Sequence, residues 1–382
     1  MKKITLMTAL GAGNLGDELI AWCEYRCMRE YFPETQIFVY NYEDSNGLFL
    51  KFAKKDKSVR MRPYFPLNIC KYPFRNIRAL WKMIFDIATS DLLIIGGGGL
   101  WYDNELGQNP HIQRLQWMLR VWIAKAFRTS ILFWGIGIDV DKKHIAKYRS
   151  IFSGSNTQII VRDHHSHDLL EKIGISSIIS TDSVITLSRY FQELLTQNKS
   201  ESSEKLHIGI SVRSGYHHDE IDILKDVVGQ LREKYSNCVI YGLSYSHRED
   251  NPIISDTTLL KLLNLDQIII DHAEIVKLLP TLDIMIATRL HAMITARLLK
   301  IPTLCLSYAR KTREVFVTLN DLGYGYGIIT DLQTLNYENI EHLLIEFEKG
   351  RNNFGQTKHK IQRENLTDEK TILNWISQKN PS

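Results

Sequence analysis

No stretch of this 382-residue chain strings together the ~18 apolar residues that a membrane-spanning helix needs. The richest candidate, Arg114 to Ile138, is cut by Arg120, Lys125 and Arg128. No signal peptide is expected in this N-terminus either. Met1–Met7 carries two lysines, but Gly11, Gly13 and Asp17 arrive before any apolar core of signal length, so the segment reads as the first strand of a cytoplasmic protein. Cysteine is scarce: five residues, an odd number, exclude a disulfide-stapled scaffold and predict reduced thiols. Cys23 and Cys27 stand four apart on a predicted helix, yet no Cys or His nearby completes a set of four ligands, and buried free thiols are expected. With 44% apolar and 24% charged residues, the chain is neither disordered nor collagen-like.

Charge is ordinary in total and uneven in place. Lysine and arginine exceed the acids by 47 − 43 = +4. Between Lys51 and Lys82 there are ten basic residues against one acid, Asp56, so that segment carries +9 and the remainder −5. Phe52, Tyr64, Phe65, Tyr72, Phe74 and Trp81 are interleaved with those cations. Basic residues with aromatics suit anionic headgroups or a diphosphate-linked substrate. No RNA- or DNA-binding motif accompanies them, which sets nucleic acid aside.

The length exceeds the roughly 250–300 residues at which single cores stop growing, so two domains are expected. Short continuous apolar runs (Lys3–Met7, Gln36–Tyr40, Asp91–Ile95, Ser130–Trp134, Gln158–Arg162) alternate with helical segments. That pattern predicts an α/β fold with parallel sheets covered on both faces. Composition turns polar over 196–205, and alternation restarts at His207–Val212, continuing through Asn237–Leu243, Gln267–Asp271, Asp283–Ala287 and Thr303–Ser307. The expected organisation is therefore two doubly wound, Rossmann-like domains, 1–195 and 206–345. A tail over 346–382 follows, whose helix at Asp368–Gln378 is expected to pack back on the first domain.

Ligands of such sheets bind outside the carboxyl ends of the strands, so residues that follow strands are the informative ones. Gly11-Ala12-Gly13-Asn14-Leu15-Gly16-Asp17 leaves the first strand and opens a helix. Its glycine spacing resembles a dinucleotide fingerprint, but Asp17 would repel a pyrophosphate, so Asn14 and Gly16 are read as ligand-facing without that assignment. Gly96–Gly99 lets the backbone approach a ligand closely, or simply turns the chain; Gly97 and Gly98 are the candidates there. After the strand at 158–162, Asp163 or Ser166 reads as a helix cap, and His164, His165 and His167 as a solvated face rather than a metal site. Asp182 either faces the ligand edge or orders a turn. Thr288-Arg289-Leu290-His291 ends one strand of the second domain and opens a helix, while Arg213 ends another. Two arginines at adjacent strand ends, with a helix N-terminus, suit a small anion carrying carboxylate and phosphate. The opposing reading pairs Arg289 with a buried acid such as Asp271. Lys311 follows the next strand and either adds a third positive group or is an ordinary loop cation.

In this order, these marks resemble the polysaccharide pyruvyl transferase family. They are Gly13-Asn14-Leu15-Gly16-Asp17, Gly96–Gly99, Arg162-Asp163 with Ser166, Asp182, and Thr288-Arg289-Leu290-His291 with Pro302 after a short helix. The likeness covers about residues 4–325. It implies a two-domain arrangement similar to the GT-B glycosyltransferase fold. It also implies transfer of pyruvate from phosphoenolpyruvate to a sugar hydroxyl pair, forming a ketal and releasing phosphate. Arg213, Arg289, Leu290 and His291 would then line the phosphoenolpyruvate site in the second domain. The first domain, with segment 51–82, would meet a polysaccharide or lipid-linked oligosaccharide acceptor, in peripheral contact with the inner face of the cell membrane. His291 is the expected general acid or phosphate partner, and Asp17 or Asp182 the base toward the acceptor. No cofactor and no metal are assigned; phosphoenolpyruvate is the donor substrate.

Two other readings stand beside this one. A GT-B glycosyltransferase using a nucleotide sugar shares the fold, although Ala292–Lys300 contains no acid of the kind retaining members place there. A non-catalytic protein that binds anionic glycans would use the same cations.

Overall fold

The structure, a computed structural model, describes residues 1–42, 47–64, 73–102, 110–141, 143–195, 205–213, 218–248, 255–307, 309–331, 334–335, 341–345, 348–349 and 367–379. Packing divides the chain into two compact units. Unit 1 comprises 1–12, 17–190 and 364–382, and unit 2 comprises 13–16 and 191–363. The short turn 13–16 thus belongs with unit 2, though the chain on either side of it belongs with unit 1. Of the polar stretch 196–205, all but Lys205 lies outside the described residues.

Unit 1 begins β1 (Lys3–Met7), α1 (Leu15–Tyr31), β2 (Gln36–Asn41), α2 (Leu48–Ala53), β3 (Val59–Pro63), α3 (Pro73–Ala88), β4 (Leu92–Ile95) and β5 (Gly98–Tyr102). It continues α4 (Pro110–Ala126), β6 (Ser130–Asp139), α5 (Arg149–Phe152), β7 (Thr157–Val161), α6 (His164–Glu171), β8 (Ile178–Ile179), α7 (Ser183–Thr186) and α8 (Ser188–Leu195), the last crossing into unit 2. All pairings are parallel, in the order β3-β2-β1-β4-β6-β7-β8, with β5 against β6. Each residue of β4 is buried, as a strand covered by helices on both faces must be.

Three strands of unit 1 escape the sequence pattern, each for a physical reason. β3 is an edge strand, half-exposed, with Arg60 and Arg62 in a run that reads as basic loop; Pro63, without an N–H, ends it. β8 has only two residues. The third is β5, which begins inside the four glycines: only Gly96 and Gly97 turn the chain, and Gly98, at φ +102°, starts a strand. Arg120 interrupts an apolar run in sequence but is fully buried, its guanidinium 4.4 Å from the ring centre of Trp117 and 4.6 Å from that of Tyr64.

Unit 2 continues with β9 (Leu206–Ser211), α9 (His218–Lys234), β10 (Cys238–Leu243), α10 (Asp256–Leu260), β11 (Gln267–Ile269), α11 (His272–Leu278), β12 (Ile284–Ala287), α12 (Leu290–Leu298), β13 (Thr303–Ser307), α13 (Arg310–Asp321) and β14 (Gly327–Asp331). Its sheet is parallel throughout, in the order β11-β10-β9-β12-β13-β14. A core of Ile208, Ile210, Val212, Ile240, Ile284, Ile286 and Leu304 lies against Leu224, Val228 and Leu231 of α9.

The last helix, α14 (Thr367–Lys379), packs in unit 1. Ile372 and Ile376 are buried, Glu369 accepts from Cys27 Sγ (3.5 Å) and from Arg189, and Lys379 donates to the Ser155 carbonyl (2.9 Å). Cys23 and Cys27 are buried and not in a disulfide, and burial raises the pKa of Cys27 well above the ordinary thiol value. If α14 is integral to unit 1, Ile376→Ala should lower stability by about 2–3 kcal/mol in urea unfolding, since it empties a buried site. An unchanged midpoint would show that α14 contributes little.

Candidate active site

Each sheet changes its winding direction once. In unit 2 the chain moves outward from β9 through β10 to β11, then returns to the other side of β9 with β12 and proceeds to β13 and β14. The switch point is the β9/β12 pair, where open α/β sheets leave a crevice beyond the strand ends. Register sets Ala287 beside Ser211, and Thr288 N donates to the Ser211 carbonyl at 3.0 Å. Arg213 and Arg289 follow these two strands, so both leave the sheet at the same edge.

Arg289 is the N-cap residue of α12. Its Nε donates to both carboxylate oxygens of Asp256 (3.1 and 3.0 Å), and Nη2 donates to Oδ1 of the same group. Asp256 is fully buried and also accepts from Ser246 N (2.9 Å). The opposing sequence reading therefore has the right kind of partner and the wrong acid: Asp271 instead caps α11, accepting from Ala273 N and Glu274 N. Asp256 fixes two of the three guanidinium nitrogens and offsets part of the charge, while the Arg289 side chain keeps 17% of its surface open. Arg213 is half-buried beside it in the strand order, and Leu290 is buried. Ser211 Oγ and Thr288 Oγ1, on the last turn of the two switch strands, are buried with no hydrogen-bond partner among the described residues. Two such hydroxyls are costly in an apolar interior and suit an edge where an oxyanion accepts from them.

His291 stands in the first turn of α12, half-buried, and packs against Gly16. A Cβ at Gly16 would collide with the imidazole. The 13–16 turn is held by main-chain bonds to the segment after β10: Leu15 N to the Tyr245 carbonyl and His247 N to the Gly13 carbonyl, both 2.8 Å. Asn14 Oδ1 accepts from Gly16 N (2.9 Å), which tightens the turn, so Asn14 serves the loop's own geometry. His247 Nδ1 lies 3.1 Å from both Ser255 Oγ and Thr257 Oγ1. Lys311 lies half-buried on α13, beyond the neighbouring strand β13.

Unit 1 has its own switch point, β1/β4, where Gly96 N donates to the Met7 carbonyl at 2.9 Å. Asp17 and Gly98 meet there: a Cβ on Gly98 would lie 3.2 Å from Asp17 Oδ1. Gly97 is anchored from beneath, its N–H donating to Glu24 Oε1 (3.0 Å), which also accepts from Ser183 Oγ (2.8 Å). Glu24 is completely buried, and burial pushes its carboxyl up to about 8 despite those two donors. Asp182 is fully buried too. It caps α7 through Val184 N (3.1 Å) and accepts from Arg162 Nη1 (3.3 Å). Closed to solvent, Asp182 orients Arg162 and a turn. Arg162 lies over Gly137, where a Cβ would come within 2.7 Å of Nε. Asp163 caps α6 by accepting from Ser166 N (2.7 Å), and no group of three or more His, Cys, Asp or Glu among the described residues is arranged to hold a metal.

Sequence reading named Arg213, Arg289, His291, Asp17 and the glycines; the structure adds Asp256, Ser211 and Glu24 at the same two switch points. Asp256 opens the short helix α10 and follows none of the expected strand ends. Ser211 looks like one more residue of a buried strand. Glu24 sits mid-helix among apolar neighbours, where an isolated acid is the only available signal.

A family model described as polysaccharide pyruvyl transferase matches residues 14–310. No curated protein sequence matches the chain. Among solved structures, the UDP-GlcNAc 2-epimerase from Neisseria meningitidis bound to UDP-GlcNAc is similar at 13% identity. That match spans 99% of this chain and 100% of that one, with a TM-score of 0.61. The UDP-GlcNAc 2-epimerase from Methanocaldococcus jannaschii is similar at 12% identity over 98% and 99%, with a TM-score of 0.58. At these identities the likeness is one of fold: two parallel-sheet α/β domains of the GT-B type.

Glu24 makes stability depend on pH. A folded-state value above the ordinary 4.5 means that the folded protein binds the proton more tightly. The stability this lends is complete below about pH 4.5 and is lost as pH rises to about 8. Glu24→Gln cannot ionise, so its unfolding free energy should fall less than that of the wild type across this window in parallel urea titrations. Identical slopes in the two proteins would contradict the assignment.

Proposed function

The chain belongs to the polysaccharide pyruvyl transferase family, and from that premise we propose that it moves pyruvate from phosphoenolpyruvate onto a hydroxyl pair of a sugar. The acceptor is a polysaccharide or lipid-linked oligosaccharide precursor. The observation that carries the reading is the convergence of Arg213, Arg289, Ser211 and Thr288 on one switch point. A small anion carrying both a carboxylate and a phosphate suits such an edge. Phosphoenolpyruvate enters as donor substrate, and the chemistry calls for no cofactor.

In this reading Arg213 and Arg289 hold the donor's carboxylate and phosphate, with Asp256 fixing the Arg289 guanidinium before the donor arrives. The hydroxyls of Ser211 and Thr288 donate to its oxygens. His291, set by its packing on Gly16, protonates the methylene carbon C3, and C2 becomes oxocarbenium-like. One sugar hydroxyl attacks C2 and loses its proton to a base. The C2–O bond to phosphate breaks and phosphate leaves. The second hydroxyl then bonds to C2, its proton passing to the released phosphate, and closes the ketal, so donor and diol yield ketal and inorganic phosphate in balance.

Incubation with phosphoenolpyruvate and candidate acceptors should raise acceptor mass by about 70 Da, one pyruvic acid less water, with equimolar phosphate release. Arg289→Ala and Arg213→Ala should each lower kcat/KM for phosphoenolpyruvate about 100-fold or more, since each removes a charged contact to the reacting anion. Gly16→Ala should lower kcat by displacing the imidazole. Nucleotide release from a nucleotide sugar, with phosphoenolpyruvate left intact, would replace this reading by glycosyl transfer.

A further inference from the structure

We infer that the outer face of α3 and α4 in unit 1 is a docking surface for an anionic lipid bilayer. α3 turns Asn76, Ala79, Met83 and Ile87 inward and leaves Ile77, Trp81 and Phe85 outside, 55%, 67% and 65% exposed. Their spacing of four sets them in one line along the helix. α4, which packs beside α3, buries Trp117, Val121 and Ala124 and exposes Leu115 (56%) and Trp122 (42%), seven apart and so on one face. Large apolar side chains exposed singly are common, but five gathered on two neighbouring helices mark an interaction face.

Charge selects the partner. Arg78 and Lys82 are exposed on either side of Trp81. The two helices together contain one acid, Asp86, and it is buried and paired with Lys3 (3.0 Å) and Arg62 (2.8 Å). No acidic side chain of α3 or α4 therefore opposes an anion on this face. Aromatic side chains flanked by cations are the makeup of an interfacial helix, whose apolar side enters the acyl boundary while its cations meet the headgroups. A second copy of this chain would bring the same positive charge against itself. An anionic glycan would satisfy the cations and leave the apolar side chains in water. No helix among the described residues is long and apolar enough to cross a membrane, so contact made by this face lies at the surface of the bilayer. The basic aromatic segment thereby divides. Tyr64 is buried and Phe52 packs 5.6 Å from Trp22, both structural, while Trp81 is offered outward; the side chains of Phe65, Tyr72 and Phe74 lie outside the described residues.

The inference concerns binding and stands whether or not pyruvyl transfer is the reaction. It is tested by co-sedimentation of the full chain with vesicles of phosphatidylcholine alone or mixed with phosphatidylglycerol. The expected result is binding to the anionic vesicles that salt weakens, with little binding to the neutral ones. Arg78→Glu with Lys82→Glu should weaken binding about tenfold or more. Trp81→Ser with Phe85→Ser should do likewise, and Leu115→Ser with Trp122→Ser supplies the same test on the second helix should α3 variants misfold by circular dichroism. Wild-type protein left in the supernatant with anionic vesicles would overturn the inference. So would binding that none of the folded double variants reduces, or a dimer in solution that the aromatic variants convert to monomer.

Discussion

Everything chemical in this molecule depends on one constraint of parallel sheets: winding that starts mid-sheet must reverse once, and the reversal opens a crevice between two neighbouring strand ends. The chain meets that constraint twice, at β1/β4 and at β9/β12. Hydrogen bonds across each pair, Gly96 N to Met7 and Thr288 N to Ser211, hold the two exits in register. Residues about eighty positions apart in sequence, such as Asp17 and Gly98, or Arg213 and Arg289, come to neighbouring strand ends in consequence. A local motif at either exit would lack half its partners without the other.

Charge at these edges is managed differently in the two units. In unit 2 the cation is pinned by an acid: Arg289 gives up mobility and some of its field to Asp256, and what remains is an oriented guanidinium with part of its surface open. Such a group loses little entropy when an anion arrives, which is the general advantage of preorganisation. In unit 1 burial silences an acid. Glu24 underpins Gly97 and holds its proton near neutral pH, so it acts as a hydrogen-bonding strut rather than a charge beside Asp182 and Asp17.

The fold was legible because a parallel sheet advertises itself in short runs of Ile, Leu and Val, and β4, β12 and β13 are such runs, buried along their length. Edge strands such as β3 have one exposed side and half-polar sequences, and they vanish into their surroundings. The site was legible where chemistry coincides with a strand end, as at Thr288–His291. It was illegible where the partner comes from elsewhere. Nothing near Asp256 in sequence indicates that Arg289 will reach it, and nothing in Ser183 announces Glu24. Asp182, in a short polar island of the sequence, accepts from a helix-cap N–H and from an arginine, partners that the sequence alone does not announce.

The return of α14 to unit 1 has a consequence for how the chain is made. Unit 1 is discontinuous: its residues 1–12 and 17–190 leave the ribosome long before 364–382 do, and unit 2 apart from its 13–16 turn is synthesised in between. During that interval Cys27 and the surface that Ile372 and Ile376 later cover have no α14 to shield them. The nascent unit therefore waits, incomplete, while its neighbour emerges, and a contact closed over more than three hundred residues comes last. Vectorial synthesis thus gives the final helix the character of a latch, and the delay before it closes is when the emerging protein is most exposed to wrong partners.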